Sequence, residues 1–363
     1  MEDRPLLIIS TRLPPQLCGV GTFSWHLEQH WPGDTSQHRF LVVEGADDSR
    51  LLLKREAIGE VGKGYRNLGK MLRSSGAIDV LLHYAGHGYQ RFGCPVGLVK
   101  VLRDWKMKFP TSRLIVFFHE IPGRPSFTSR RYLFDVCSQW IAAKLADLAD
   151  LVITNTSQHA RLLEEISRHR NIPWLPVPSN IESSPDIQQE KAATEFVIFG
   201  LPFGRWQTLQ LFDSHIRTWQ QNGILTKLHL IGPPDTKFDS RSEALLRSYP
   251  QPNVVVRQGQ LDPAAVSQVL SSARFAFTMA TDANWSKSGT LMAFLLHGCV
   301  VIAESRPEIE PLSWAIMPEQ VVALSDAELQ ARTTEGRRWY DQNADWKVVG
   351  RKISTLIARL PAT

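Results

Sequence analysis

Lys287, Ser288, Gly289 and Thr290 stand together in TDANWSKSGTLMAFLLHGCVVIAE (281–304), where a polar loop tips into an apolar segment that closes at Gly298 before a β-branched run. A loop that enters a helix and then a strand presents unpaired backbone N–H groups, and here two hydroxyls and an ammonium beside them, the set that holds a phosphate. The same hydroxyls would serve as caps of a core helix. FGLPFGRW places Gly200 and Gly204 around Arg205, whose permanent charge could neutralise a diphosphate or simply face water. Near the start, STRLPPQLCGVGTFSWHL puts Gly19 and Gly21 in a loop where backbone can come close to a ligand, or where glycine merely softens a turn. HYAGHGY (83–89) and FHEIPGRP (118–125) bring histidines to strand ends. His119, beside Glu120 and before a Pro-Gly turn, is placed to orient a hydroxyl or carry a proton. His87, between two glycines, suits a site or a turn equally. His83, within an apolar run, reads as structural, and Ser157 in NTSQHARLLEE reads as a helix cap.

The elements that must position these residues alternate in kind. LLIIS (6–10), RFLVVE (39–44), VLLHY (80–84), RLIVFFHE (113–120) and LVITNT (151–156) are predicted strands, separated by segments with apolar residues at helical spacing. A second series follows: EFVIFG (195–200), KLHLIG (227–232), NVVVRQG (253–259), RFAFTM (274–279), CVVIAE (299–304) and QVVAL (320–324). Alternation of this kind implies parallel sheets covered by helices on both faces, hence two doubly wound α/β domains. The polar stretch SSPDIQQEKAAT suggests a linker at 181–194 between domains at 1–180 and 195–335, with the tail at 336–363 forming two helices that break near Asn343. Ligands of such sheets bind at the carboxyl ends of the strands, and the residues above fall there. A cleft between the two domains is the expected site.

Bulk properties narrow the class. A chain of 363 residues has room for two cores, and 43% hydrophobic with 21% charged residues is globular composition. No long apolar run suggests a spanning helix, and the N-terminal MEDRPLLIIS has no secretory pattern, so a cytoplasmic protein is expected. Cys18, Cys94, Cys137 and Cys299 lie far apart, as reduced thiols do, and suggest no metal cluster. A net charge of +5 favours anionic ligands or an anionic membrane face without demanding nucleic acid.

Taken together, these motifs resemble the GT-B glycosyltransferases, most closely the large family of retaining sugar-nucleotide transferases called family 4 (glycosyl transferases group 1). GVGTFSWHL is similar to that family's N-terminal glycine loop, FHE to its strand-end histidine near the transferred sugar, and ADLVITNTSQHARLLEE to its fifth-strand segment. FGLPFGRW lies where the family has donor-binding basic residues, LMAFLLHGCVVIA resembles its helix-Gly-strand signature, and DWKVVGRKISTLI its tryptophan-bearing helix that returns to the first domain. The family also carries two glutamates eight positions apart at the helix-Gly-strand signature; aligned on Gly298, those positions are Trp285 and Ala293, neither a carboxylate.

The resemblance implies transfer of a sugar from a UDP- or GDP-sugar to an acceptor hydroxyl, a glycan or lipid-linked molecule, with retained configuration. The N-terminal domain would take the acceptor and the C-terminal domain the nucleotide sugar. Donor contacts would come from Gly19, Gly21, Arg205, Lys287, Ser288, Gly289 and Thr290, the catalytic contact from His119, and acceptor or sugar contacts from His87 and Glu120. Neither cofactor nor metal is expected; the acidic pair Asp47-Asp48 lacks the context of a metal motif. Peripheral contact with the inner membrane face is compatible with the charge and the tryptophans. The alternative is a GT-B-like protein without catalysis, acting as a binding or partner subunit.

Overall fold

The computed structural model describes residues 6–14, 16, 18–42, 55–57, 61–128, 130–183, 191–304 and 311–361, so the pair Asp47-Asp48 lies outside the described residues. By packing, the chain divides into two units, Met1–Pro176 with Trp346–Thr363, and Val177–Asp345.

The first unit runs β1 (Leu6–Ser10), α1 (Gly19–Gln29), β2 (Arg39–Val42), β3 (Arg55–Ala57), α2 (Val61–Ser74), β4 (Asp79–Ala85), α3 (Gly86–Tyr89), α4 (Val96–Lys108), β5 (Leu114–Glu120), α5 (Tyr132–Leu148), β6 (Leu151–Thr154) and α6 (Ser157–Ile166). Its six strands pair in parallel in the order β3-β2-β1-β4-β5-β6. The central strands are apolar without alternation because helices cover both sheet faces: every residue of β1 and β4 is buried, as are all of β5 except Glu120. Strand order reverses between β1 and β4, which makes the loops after these two strands the rim of a crevice. β3 is a strand that apolar patterning did not foresee.

The second unit runs β7 (Ala192–Phe199), α7 (Pro202–Leu211), α8 (Asp213–Gln221), β8 (Lys227–Ile231), α9 (Thr236–Arg247), β9 (Val255–Gly259), α10 (Pro263–Ser272), β10 (Ala273–Phe277), α11 (Gly289–Leu296), β11 (Val300–Ile302), α12 (Gln320–Ala323) and α13 (Asp326–Asn343). Its five strands are also parallel, in the order β11-β10-β7-β8-β9, and here the reversal falls between β7 and β10. The core contains a stack of aromatic rings, with Phe196 and Phe275 at 4.6 Å across neighbouring strands.

The final helix, α14 (Trp346–Ala358), belongs to the first unit. Trp346 stacks on His26 of α1 at 5.2 Å and meets Phe23 at 5.2 Å. Gly350 lets the two helices touch, since a Cβ there would sit 2.9 Å from the His30 carbonyl oxygen. α13 packs instead with the second unit, where Tyr340 is buried and its hydroxyl accepts from the Ser179 N–H at 3.3 Å.

Two local expectations change. QVVAL (320–324) is not a strand: α12 occupies it, with Val321 buried and Val322 exposed, because the segment finds no sheet edge and the Gln320 side chain accepts from the Met317 N–H to close a turn. The cap of α6 is Thr156 rather than Ser157; the Thr156 hydroxyl accepts from the His159 N–H at 3.0 Å, and Ser157 is the first helical residue.

Candidate functional site

In the second unit, the reversal point gathers three loops, after β7, β8 and β10. Gly200 and Gly232 end the first two strands with φ of 139° and 143°, a backbone region that suits glycine alone. They touch: a Cβ on Gly232 would lie 2.0 Å from the Gly200 carbonyl oxygen and 2.3 Å from Nη1 of Arg205. The loop after β10 reaches the same place, because Oγ1 of Thr290 lies 3.5 Å from where a Gly200 Cβ would stand. Thus Gly200, Arg205 and Thr290, far apart in sequence, form one cluster.

The SKSGT segment is held rigidly. Ser286 accepts at its carbonyl from the Val177 N–H at 2.8 Å, Lys287 donates to Asn284 and Ser288 to Trp285 through backbone bonds. Ser288 is the N-cap of α11, its hydroxyl accepting from the Leu291 N–H at 3.2 Å. The cap leaves the N–H groups of Gly289 and Thr290 without partners among the described residues, in the first turn of a helix whose dipole favours an anion. Lys287 is exposed, with no partner for its ammonium among the described residues, and space beyond Gly289 is open to 3.9 Å.

Arg205 behaves differently from the expectation of a cation facing a ligand. Its guanidinium donates to the Gly200 carbonyl at 2.7 Å and the Pro233 carbonyl at 2.9 Å, and lies 3.5 Å from Asp239. With 10% of the side chain exposed, it braces the loops after β7 and β8 against each other. Burial pulls its proton affinity down and Asp239 pushes it back, and the group stays cationic.

The positions aligned with the family's glutamates are interior. Trp285 is 6% exposed and meets Trp339 edge-on at 5.5 Å, while Ala293 has no exposed surface. Both belong to the core cluster that α11 completes, so any carboxylate there would be buried among apolar side chains.

In the first unit, His119 is the penultimate residue of β5 and is 6% exposed; His83 of β4 is fully buried beside it. His83 Nδ1 and His119 Nε2 are 2.9 Å apart, and the Phe23 ring lies edge-on to His119 at 4.9 Å. Asn155 donates from its side chain to the His119 carbonyl at 3.1 Å, fixing the strand end. Burial drives His83 down to about 3, and burial first, then His83 and His159, hold His119 well below the usual histidine range, so both rings are neutral. One of them must therefore donate to the other. Nε2 of His83 is buried with no partner, and a buried N–H left bare is the rarer and costlier orphan. That places the His83 proton on Nδ1, donating to His119 Nε2, and puts the His119 proton on Nδ1, which has no partner among the described residues. His119 thus presents an N–H donor, and His83, read from the sequence as purely structural, sets its tautomer.

The remaining expected residues separate into groups. Gly19 has open space around it and begins α1, at the reversal point of the first sheet. Gly21 is consumed by packing, since a Cβ there would overlap the Arg12 carbonyl oxygen at 1.2 Å. His87 lies in α3 after β4, with Nδ1 3.2 Å from the Arg91 carbonyl and Nε2 3.2 Å from the Arg131 guanidinium, so it is tied to the surface rather than to the His83–His119 pair. Glu120 is exposed at the end of β5. Gly232, Asn155 and His83 were not singled out as site residues. The glycine before the prolines in LIGPPD (230–235), at a strand end like the glycine of FGLP, was the one available signal.

No protein-family model and no curated protein sequence matches this chain. Its fold, however, is that of solved GT-B glycosyltransferases. HepE from Anabaena, solved with UDP and glucose, has a TM-score of 0.67 at 11% identity, covering 99% of this chain and 100% of that one. Sucrose-phosphate synthase from Thermosynechococcus elongatus has a TM-score of 0.70 at 14% identity, covering 99% of both chains. An α-glucosyltransferase solved with UDP and a 13-mer DNA has a TM-score of 0.64 at 13% identity, covering 99% of this chain and 100% of that one.

Proposed function

We propose that this chain is a glycosyltransferase that moves a sugar from a nucleotide diphosphate sugar to an acceptor hydroxyl, with the second unit holding the donor and the first the acceptor. The observation that carries this reading is the anion cradle of the second unit: Lys287 and the unpartnered N–H groups of Gly289 and Thr290, set against the Gly200 turn at the sheet's reversal point. Similar solved proteins bound to UDP favour a nucleotide donor, UDP or GDP.

In the reaction, the bond between the anomeric carbon and the β-phosphate oxygen breaks, and negative charge grows on the leaving diphosphate. Fixed N–H donors and the Lys287 ammonium stabilise that charge without a metal. Arg205 acts from behind, by holding the loops in register. The acceptor hydroxyl attacks the anomeric carbon from the face that the diphosphate leaves and gives its proton to a phosphate oxygen of that diphosphate, and this same-face attack retains the configuration. His119, neutral and donating from Nδ1, would hold a sugar hydroxyl rather than shuttle a proton. Gly19, with open backbone at the start of α1, would be a further donor contact, while His87 and Glu120 would border the acceptor, a glycan or a lipid-linked molecule. A role in glycan or glycolipid synthesis follows, with the protein in the cytoplasm.

A noncatalytic binding or partner subunit is the second reading, favoured by one observation: Trp285 and Ala293 are core residues with no carboxylate to offer a donor sugar. Calorimetric titration with UDP, GDP and ADP, followed by assays for hydrolysis and transfer of the corresponding sugars, separates the two. The donor reading expects one diphosphate to bind and Lys287→Ala to weaken it about tenfold, on the scale of one charge-assisted contact. Unchanged affinity reduces the loop to a helix cap; binding without turnover on any acceptor extract selects the noncatalytic reading.

A further inference from the structure

We propose that the first unit docks on an anionic lipid surface through an aromatic patch at the start of α5. Globular proteins rarely leave many large apolar side chains together in water, and six stand exposed on the first turns of α5 and the loops beside them. Phe127 is 86% exposed, Leu133 78%, Trp140 48%, Phe92 47%, Phe134 42% and Val136 40%. Leu133, Val136 and Trp140 recur at helical spacing along the outer face of α5, opposite the core-facing Ser138, Ile141, Ala142 and Leu145. Neighbouring loops add rings at the flanks of the same turns: Phe92 stacks on Phe134 at 5.1 Å, toward the Ser138 side, and Phe127 stacks on Tyr132 at 4.5 Å. α5 is therefore apolar on both sides over its first turns, a pattern its own core does not require.

Charge decides the occupant. Arg91 lies over the Phe92 ring at 5.7 Å, and His87 bridges the Arg91 carbonyl to the Arg131 guanidinium, which joins the basic groups to the aromatic ones. Arg130 is exposed beside them, as is Lys144 one turn beyond Trp140, whereas the first turn of α5 holds a single acid, Asp135. Aromatic and aliphatic side chains rimmed by arginines match the boundary of an anionic bilayer, where rings sit among acyl chains and guanidinium groups meet phosphates. Among the described residues no helix is long and apolar enough to cross a membrane, so the contact is peripheral. The surface stands independently of the glycosyltransferase reading; if both hold, it would deliver a lipid-linked acceptor to the unit proposed to take it.

The test uses the full chain in co-sedimentation with vesicles of phosphatidylcholine alone and of phosphatidylcholine with phosphatidylglycerol, at low and high salt, without nucleotide. Binding is expected to the anionic vesicles and to fall with salt. Arg91→Glu/Arg130→Glu should weaken it at least about twentyfold, from about fivefold per cation lost. Phe127→Ser/Leu133→Ser should abolish it while the circular dichroism melt is unchanged, since both side chains are already in water in the fold. Wild-type protein that stays in the supernatant with anionic vesicles overturns the proposal. So does a Phe127→Ser/Leu133→Ser variant that binds like wild type, or wild-type self-association that this variant removes, which would give the face to a second copy. None of these outcomes depends on donor binding, so failure here and failure of the donor site are separable.

Discussion

Arg205→Ala distinguishes a brace from a ligand. The guanidinium makes hydrogen bonds of 2.7 Å and 2.9 Å to the carbonyls of Gly200 and Pro233, with Asp239 at 3.5 Å as a weaker partner. Hydrogen bonds from a charged donor contribute about 1.5 kcal/mol each at the low end, so losing two costs about 3 kcal/mol. The ion pair is left out of this sum because Asp239 is 45% exposed and water screens it. The Gly200 N–H would still donate to the Ile231 carbonyl at 3.1 Å, but no side chain among the described residues would tie the loops after β7 and β8 together beyond that bond. A domain of this size loses about 2–4 °C of melting temperature per kcal/mol, so the second unit should melt about 6–12 °C lower in Arg205→Ala with no ligand present. Arg205→Lys, which keeps the charge and reaches one carbonyl, should recover about half of that shift. The assay is differential scanning calorimetry without nucleotide, run beside nucleotide titration. Should Arg205→Ala melt within about 2 °C of wild type while UDP or GDP affinity collapses, the guanidinium faces the ligand and the bracing account is refuted.

Acid should destabilise the first unit through its buried histidines. His83 has a folded value of about 3, below its ordinary 6.5, so unfolding takes up a proton and stability falls as pH drops below about 6.5; between pH 7 and pH 5 this imidazole alone accounts for about 2 kcal/mol, read by urea denaturation. His83→Gln should reduce that loss, and an undiminished slope would place the acid-sensitive group elsewhere. Ala293→Glu, which restores a carboxylate at an aligned family position, should destabilise the second unit by about 3 kcal/mol or more, because the site has no exposed surface and lies in an apolar core cluster. Wild-type stability with stronger binding of a sugar nucleotide would show instead that the position opens to ligand.

The legible parts of the protein were those in which a local rule and the tertiary environment agree. Continuous apolar runs such as LLIIS and LIVFF are strands because both faces of a parallel sheet are covered, and the break near Asn343 appears as the end of α13. QVVAL failed for the opposite reason. Its β-branched residues suit a strand, but strand propensity is realised only against a neighbouring edge, and no ladder reaches it.

The sequence by itself determined that two doubly wound sheets follow one another, and that glycines, histidines and a small-residue loop fall at strand ends. Those follow from periodicity and chain order, which are local. Only the tertiary structure decided what each residue does there. It turned Arg205 onto two carbonyls, spent Gly21 on the passage of the Arg12 backbone, and paired His83 with His119 across neighbouring strands. Such assignments rest on hydrogen-bond partners brought together from distant positions, and a partner in space leaves no mark in the spacing of a single chain.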